Sequence, residues 1–220
     1  MMKKKVGSLT KRYSIDTRAR TGVLDTIYRW PKVGNLVYVP YVIGAEYPSS
    51  DRKKIIDAMD DFHELTCIRF IPRTSQSDYI TIKHGDGCAS FVGNIGGEQE
   101  VTLHNNGCIL HEIRVHELIH TLGYMHMQSS ADRDSYMKII WENIESGMEY
   151  NFDKVSIDTH GNFGTSYDYE SIMHYGGDAY SINGEITIET LDPSKQNRIG
   201  KSVKMSSGDI ARVKNMYNCS

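Results

Sequence analysis

The spacing of hydrophobic and polar positions predicts a strand followed by a helix early in the chain. Residues 36–43 are rich in valine and tyrosine, which is typical of a strand, and Pro40 indicates an edge strand or a bend. Ser49 and Ser50 are suited to cap the start of a helix. Apolar residues then recur at helical spacing, which predicts a buried stripe. These residues are Ile55, Ile56, Met59, Phe62 and Leu65.

Four further short strands are predicted at residues 67–71, 79–83, 88–92 and 100–104, each followed by polar or glycine-rich turns. A helix follows, with Ile113, Leu118 and Leu122 on its inward face. Beyond residue 126 the chain is irregular and rich in Gly, Tyr and Asp, with helices predicted near residues 135–148 and 207–217. This order predicts an α+β fold: about five strands and two helices, then a mostly irregular part with a C-terminal helix.

Composition narrows the class of protein. A chain of 220 residues can form one sizeable domain or two small lobes. The net charge of −3 provides no basic surface for nucleic acid, and no apolar run is long enough to predict a membrane span. Residues 1–20 hold seven Lys or Arg and one Asp, with few large apolar residues. We interpret them as the tail of a prosegment cleaved after Arg20, or as a flexible basic tail.

The strongest chemical signal is H-E-L-I-H-T-L-G-Y-M-H, which runs from His116 to His126. His116 and His120 are four residues apart, so a helix places both imidazoles on one face, within reach of one zinc ion. Glu117 lies beside that position, where a carboxylate takes a proton from zinc-bound water. Gly123 accepts a sharply turned backbone, which ends the helix and brings His126 back as a third ligand. Three histidines leave one coordination position open, as in catalytic zinc sites.

Extension of the motif to H-E-x-x-H-x-x-G-x-x-H matches the metzincin signature. A second signal is S-I-M-H-Y at residues 171–175, the form of the methionine turn that astacins use, and D-R-D at residues 132–134 also follows the zinc helix as in astacins. The chain therefore resembles an astacin-family metalloprotease from about Trp30 to Cys219. The resemblance implies a two-lobed metzincin fold, with the substrate cleft between an upper lobe (residues 21–126) and a lower lobe (residues 127–220).

The same resemblance assigns roles around one catalytic zinc ion. His116, His120 and His126 would bind it, and Met173 would lie beneath it. Tyr175 matches the astacin tyrosine that binds zinc at rest and swings aside to hydrogen-bond the developing oxyanion. Residues 88–92 match the exposed edge strand onto which a substrate docks antiparallel, through Ala89, Ser90 and Phe91.

Four cysteines and no C-x-x-C pair indicate two disulfides, and the residues alone leave three pairings open. The astacin resemblance implies Cys67–Cys219 and Cys88–Cys108. Disulfides of this kind indicate an oxidising compartment, so we expect a secreted protein.

One departure from the family changes an expectation. Astacins follow the third histidine with a glutamate that holds the freed N-terminus, whereas this chain has Met127, and Ser130 replaces the arginine three residues on. A thioether cannot compensate a buried ammonium group. We expect Met127 to pack into the lower lobe, unless another carboxylate reaches the N-terminus.

Together these observations predict a secreted, monomeric zinc endopeptidase acting on protein or peptide substrates, with Glu117 as general base. A catalytically weak homologue that acts as a binding module is the main alternative, although such proteins usually lose the glutamate or a ligand histidine. A peptidase taking its third ligand from a distant glutamate would leave His126 and Met173 unexplained.

Overall fold

A mixed sheet and two helices are built from the first half of the described chain. The computed structural model describes residues 21–220, so the expectations for residues 1–20 lie outside the described part. The strands are β1 (Gly22–Val23), β2 (Lys32–Val33), β3 (Leu36–Ile43), β4 (Ile68–Pro72), β5 (Tyr79–Lys83), β6 (Cys88–Ser90), β7 (Glu98–Leu103), β8 (Met137–Ile139), β9 (His160–Gly161) and β10 (Ile188–Thr190). The helices are α1 (Ser49–Leu65), α2 (His111–Thr121) and α3 (Ser207–Met216).

The main sheet has the order β4-β3-β5-β7-β6, and the short β2 forms a hairpin beside the start of β3. Strands β3, β4, β5 and β7 are parallel, while β6 runs antiparallel to β7. Within residues 21–220, β7 is the only strand that pairs with β6, so the other side of β6 is an edge. The predicted two-lobed α+β fold is confirmed, with strand boundaries within about two residues of those expected from sequence.

Pro40 does not mark an edge strand, because β3 has neighbours on both sides. The Val37 N–H donates to the Cys67 carbonyl on the β4 side, so the missing N–H of Pro40 faces the opposite side. There the pairing with β2 ends at Val37, and the pairing with β5 begins at Tyr41. Proline therefore occupies the gap between two partners, where no ladder hydrogen bond is lost.

Helix α1 differs from expectation at its start and in its apolar stripe. Pro48 is the N-cap residue and makes no side-chain cap bond, so Ser49 and Ser50 belong to the first turn and do not cap the helix. Of the predicted stripe, Ile55, Met59 and Phe62 are buried, whereas Ile56 and Leu65 are exposed. The buried face is therefore narrower than predicted. His63, on the same helix, accepts a hydrogen bond from the Phe70 N–H of β4 at 2.9 Å, which is a structural role.

The helix predicted near residues 135–148 is wrong. This segment contains β8, which pairs antiparallel with β10, and short 3-10 turns on either side. Met137 and Ile139 are buried while Lys138 between them is exposed, so the segment has the period-two burial of a strand. The apolar residues fit either period over so short a length, and the pairing with β10 decides between them.

Two hydrophobic cores organise the described residues. The first lies between the sheet, α1 and α2, and it also includes Ile172, Met173 and the inner face of α3. The second is formed by residues between 127 and 199 and is rich in methionine and aromatic side chains. Trp30 joins the parts of the first core, because its indole N–H donates to the Thr121 carbonyl at the end of α2 at 2.7 Å. None of the helices within residues 21–220 is long and apolar enough to span a bilayer.

Two disulfides close loops of very different length. Cys67–Cys219 joins residues 152 apart and ties the chain end after α3 to the start of β4. Cys88–Cys108 joins residues 20 apart and ties β6 to the turn before α2. This is the pairing that the astacin resemblance implies.

Removal of each disulfide should destabilise the protein according to its loop length. Loop-closure entropy gives a loss of about 5 kcal/mol for Cys67→Ser with Cys219→Ser, and about 3 kcal/mol for Cys88→Ser with Cys108→Ser. Urea unfolding of the two double variants measures both losses, and each serves as the control for the other. Equal losses, or a larger loss for the shorter loop, would contradict the entropic account.

Candidate metal centre

Helix α2 and the turn after it bring three imidazoles together. His116 and His120 lie on one face of α2, and Glu117 and His120 are buried. The helix ends before Gly123, which has φ +102°, and a Cβ there would lie 2.7 Å from Val23 Cγ2. Glycine is therefore required both by the backbone and by the close approach of β1. The turn that it allows brings His126 beside the other two histidines.

The three Nε2 atoms form a nearly regular triangle, with separations of 3.1 Å between His116 and His120 and 3.2 Å from each to His126. His116 Nδ1 lies 2.8 Å from the Ile172 carbonyl oxygen, and His120 Nδ1 lies 2.6 Å from the Tyr124 carbonyl oxygen. A carbonyl only accepts, so these Nδ1 atoms carry the protons and their Nε2 atoms present lone pairs. Two of the three nitrogens therefore present lone pairs to one point, which suits a cation at the centre of the triangle.

A tetrahedral metal ion fits this triangle. Nitrogens bound at about 2.0–2.1 Å in tetrahedral geometry lie about 3.3–3.4 Å apart, close to the observed separations. No other group of three or more His, Cys, Asp or Glu side chains among residues 21–220 could hold a metal ion. Burial lowers the pKa of His120 to about 3 and lowers those of His116 and His126, which keeps the imidazoles neutral for metal binding.

A carboxylate from α3 fixes the turn beneath the triad. Asp209 accepts hydrogen bonds from Ser171 Oγ (2.5 Å), Ile172 N (2.9 Å) and Ser206 N (3.0 Å). The Ile172 peptide thus donates to Asp209 through its N–H, while its carbonyl receives the proton of His116. Met173 is buried, and its carbonyl accepts from the Met127 N–H at 2.8 Å. These bonds orient the first imidazole from outside the helix that carries it.

Glu117 is buried beside the imidazoles with an uncompensated carboxylate oxygen. Its Oε2 is shielded from solvent and has no hydrogen-bond partner within residues 21–220. Burial raises the pKa of Glu117 to about 8. A cation at the histidine triangle opposes that effect, because a nearby positive charge favours the carboxylate form. The Glu117 carboxylate is therefore buried with an oxygen that lacks a hydrogen-bond partner, which lowers the stability of the fold and is unusual for a residue with only a structural role.

Tyr175 packs against the third histidine. The ring centroids of Tyr175 and His126 are 4.5 Å apart. Its hydroxyl is shielded from solvent and makes no hydrogen bond of normal geometry within residues 21–220. Burial raises the pKa of Tyr175 well above its usual range, and the nearby Tyr180 phenol and Glu117 carboxylate add to the shift. Tyr175 therefore stays protonated at neutral pH and can donate a hydrogen bond.

The residues expected to bind substrate lie on and next to β6. Ala89 pairs with Thr102 of β7 and its side chain is buried, so it faces the protein and leaves only its backbone at the edge. Ser90 ends the strand, and its hydroxyl donates to the Phe91 carbonyl at 2.8 Å. Phe91 follows the strand and is half-buried.

Met127 packs into the second hydrophobic core, as its apolar side chain led us to expect. It also borders a cavity of about 10 Å³, at the lower limit for one water molecule, together with Thr21, Asp209 and Arg212. The Thr21 carbonyl accepts from the Met125 N–H at 2.6 Å, so this segment is held by its backbone. Asp209 is the carboxylate that lines this cavity beside Thr21, although three donors already engage it.

Two residues of the site were not identified from sequence. Asp209 lies at the start of α3, where it forms a capping box with Ser206. Nothing in the local sequence indicates that it also reaches the turn at Ser171. Tyr180, beside Tyr175, carries no motif at all. The histidines on either side of the motif make other contacts: His111 Nε2 lies 2.9 Å from Asp61, and His104 bonds within its own turn.

The fold and this histidine site together define a metalloproteinase, and comparison with known proteins identifies the family. The profile of the Astacin family of peptidases matches residues 23–218. The zinc metalloproteinase nas-13 of Caenorhabditis elegans is 43% identical over 201 residues, which cover 91% of this chain and 43% of that protein. The low choriolytic enzyme of Oryzias latipes is 43% identical over 192 residues, covering 87% and 69% respectively.

A solved structure agrees with these matches. High choriolytic enzyme 1, a hatching enzyme zinc-protease from Oryzias latipes, superposes with a TM-score of 0.86 at 42% identity, covering 91% of this chain and all of that one. The chain therefore belongs to the astacin family of zinc metalloproteinases. It spans less than half of the length of nas-13 and about two thirds of the low choriolytic enzyme.

Asp209→Asn should weaken metal binding in a folded protein. The amide keeps one acceptor oxygen, so either the Ser171 hydroxyl must reverse its hydrogen bond or the Ile172 contact is lost, and the His116 partner moves. Loss of such an outer contact lowers metal affinity about 10- to 100-fold. Competition titration with a chromogenic chelator measures the change, and Asp192→Asn, at an exposed turn cap, is the control. Equal metal affinity in the two variants would exclude this role for Asp209.

Proposed function

We propose that this chain is a secreted, monomeric zinc endopeptidase that hydrolyses internal peptide bonds of proteins or peptides. The observation that carries the proposal is the triangle of three imidazole nitrogens, together with a buried, unpartnered carboxylate oxygen on the same helix. Secretion is inferred from the two disulfides, which persist in oxidising compartments. Zinc is favoured by the three-nitrogen donor set, which leaves one tetrahedral position open.

The proposed chemistry divides between the metal and two side chains. His116, His120 and His126 would hold a zinc ion, which would supply Lewis acidity to polarise the scissile carbonyl and lower the pKa of water toward 7. Glu117 takes the proton of the attacking water and then delivers it to the leaving amine. Tyr175 donates its O–H to the oxyanion that develops on the carbonyl oxygen. Its orphaned hydroxyl and its contact with His126 support this role.

Substrate would bind as an extra strand on β6. The free edge of β6 offers backbone N–H and C=O groups to an extended peptide, which gives affinity with little demand on side-chain sequence. The side chain of Ala89 faces the interior, so recognition at this position depends on the backbone. Ser90 and Phe91 border the same edge and are the side chains best placed to contact the peptide.

Three measurements test the function against the alternative of a binding module. Purified protein should contain about one zinc ion per chain. It should cleave denatured collagen at internal bonds, and it should lose that activity to a chelator and regain it with zinc. Stoichiometric zinc without any cleavage by the processed protein would favour the binding module, and cleavage that survives complete metal removal would exclude the proposal.

Glu117→Gln should bind zinc and fold normally but lose nearly all turnover, because an amide cannot accept the proton of water at neutral pH. General-base steps contribute about 10²–10⁴ in rate, so the expected loss of kcat is at least a hundredfold. Glu112→Gln changes a half-buried carboxylate on the same helix, away from the triad, and is the matched control. A Glu117→Gln enzyme that keeps more than about a tenth of wild-type kcat would refute the general-base role.

Tyr175→Phe should lower kcat while leaving zinc affinity nearly unchanged, because three histidines still hold the metal. Loss of one oxyanion donor costs about 10²–10³ in rate. Steady-state kinetics and zinc titration on the same preparation separate the two effects. If the variant instead keeps its kcat and loses zinc, Tyr175 is only a ligand and the oxyanion role is wrong.

A further inference from the structure

Tyr175 belongs to an aromatic wall on the surface of the second core. Its ring centroid is 5.6 Å from that of Tyr180 and 6.1 Å from that of Phe152, and Phe152 and Tyr180 are themselves 6.1 Å apart. Trp141 extends the wall at 6.3 Å from Phe152. Phe152 has no polar atom to offer the Tyr175 hydroxyl, whereas Tyr180 brings a second hydroxyl to the same wall.

The backbone of Tyr180 is in an unfavourable conformation. Its φ is +54°, in the left-handed region that bulky side chains rarely adopt. The surrounding contacts impose this conformation: the Tyr180 carbonyl accepts from the Glu145 N–H at 2.8 Å, and Ser181 bridges to Ile144. On the other side, the Ala179 carbonyl accepts from Thr187 Oγ1 at 2.7 Å. Strain that is so firmly held is typical of residues with a functional task.

The phenol of Tyr180 lies next to that of Tyr175, with their ring centroids 5.6 Å apart. The ring of Tyr180 is half-buried against the second core. Tyr175 has no hydrogen-bond partner of normal geometry within the part of the chain described, so its oxygen has an unused acceptor site. A phenol is both a donor and an acceptor, so the Tyr180 O–H is available to this acceptor site.

We propose that Tyr180 is a positioning residue for Tyr175: its hydroxyl donates to the Tyr175 oxygen while Tyr175 donates to the substrate oxyanion. This inference rests on the proposed function and names a further residue of the same site. Two hydroxyls in series polarise one another, so the Tyr175 O–H becomes a stronger donor. The bond also restricts Tyr175 to the position from which it reaches the carbonyl oxygen. Packing alone would be served equally well by phenylalanine.

Tyr180→Phe tests this inference because it removes the hydroxyl and keeps the ring. We expect kcat to fall about five- to tenfold, the value of one hydrogen bond, with KM unchanged. In a Tyr175→Phe background the same substitution should have no further effect, because the oxygen that it serves is gone. Tyr169→Phe is the matched control. It is a partly buried tyrosine of the same core, and its hydroxyl bonds to the Tyr136 carbonyl at 2.7 Å.

A spectroscopic readout separates positioning from activity. In protein reloaded with copper(II), a phenol oxygen turned toward the metal gives a charge-transfer absorption band. Tyr175→Phe should abolish this band, Tyr180→Phe should shift or weaken it, and Tyr169→Phe should leave it unchanged. A Tyr180→Phe protein with unchanged kcat and an unchanged band would overturn the inference.

Other outcomes also decide the question. Losses that multiply in the Tyr175→Phe, Tyr180→Phe double variant would show that the two hydroxyls act independently, which overturns the inference. A melting temperature far lower for Tyr180→Phe than for Tyr169→Phe would show that the Tyr180 hydroxyl stabilises the fold, which also overturns the inference. If Tyr175→Phe itself leaves kcat unchanged, the proposed oxyanion role fails and this inference fails with it. If kcat falls in Tyr175→Phe but is normal in Tyr180→Phe, the oxyanion role stands and only the inference about Tyr180 is overturned.

Discussion

Three imidazole nitrogens that converge on one point are the constraint on which the rest of the structure depends. Their separations of 3.1–3.2 Å suit a shared metal ion, and burial lowers the pKa of all three imidazoles, which favours the neutral rings that bind a metal. Two of the rings are held in the tautomer protonated at Nδ1 by the carbonyls of Ile172 and Tyr124. Neither carbonyl belongs to the helix that carries the rings. The chain after α2 must therefore come back to that helix at two points, first at Tyr124 and then at Ile172.

The C-terminal helix α3 holds the second of these points, the turn at Ile172, in place. Asp209 of α3 accepts from the Ser171 hydroxyl and the Ile172 N–H, and it lies 3.6 Å from Arg212 Nη1 in the same buried region. A buried carboxylate that lost all of these donors would strongly destabilise the fold. The Cys67–Cys219 disulfide ties the chain just beyond α3 to the sheet. Folding of the whole described chain and formation of the metal site are thus coupled, although no ligand comes from α3.

Sequence alone could predict the features set by local spacing. The pair His116 and His120 follows from helix periodicity, and the position of His126 follows from a glycine whose φ of +102° few other residues adopt. Features set by distant partners could not be predicted. Pro40 lies inside the sheet because the pairing of β3 with β2 ends before it and the pairing with β5 begins after it. Residues 137–139 form a strand because β10 pairs with them. The contact from Asp209 to Ile172 spans 37 residues and leaves no periodic signal.

This contrast also explains why the residues around Tyr175 were the hardest to foresee. In α2 the helical period alone places His116 and His120 on one face, so the motif itself records this part of the geometry. The aromatic wall is instead held by contacts across the second core, where the bond to Glu145 and the bridge next to it hold Tyr180 at φ +54°. Met127 shows the same division: its backbone N–H bonds to the Met173 carbonyl while its side chain fills that core. A substitution at such a position alters the packing of the core but can leave the backbone bond in place, whereas replacement of any of the three histidines removes a corner of the nitrogen triangle.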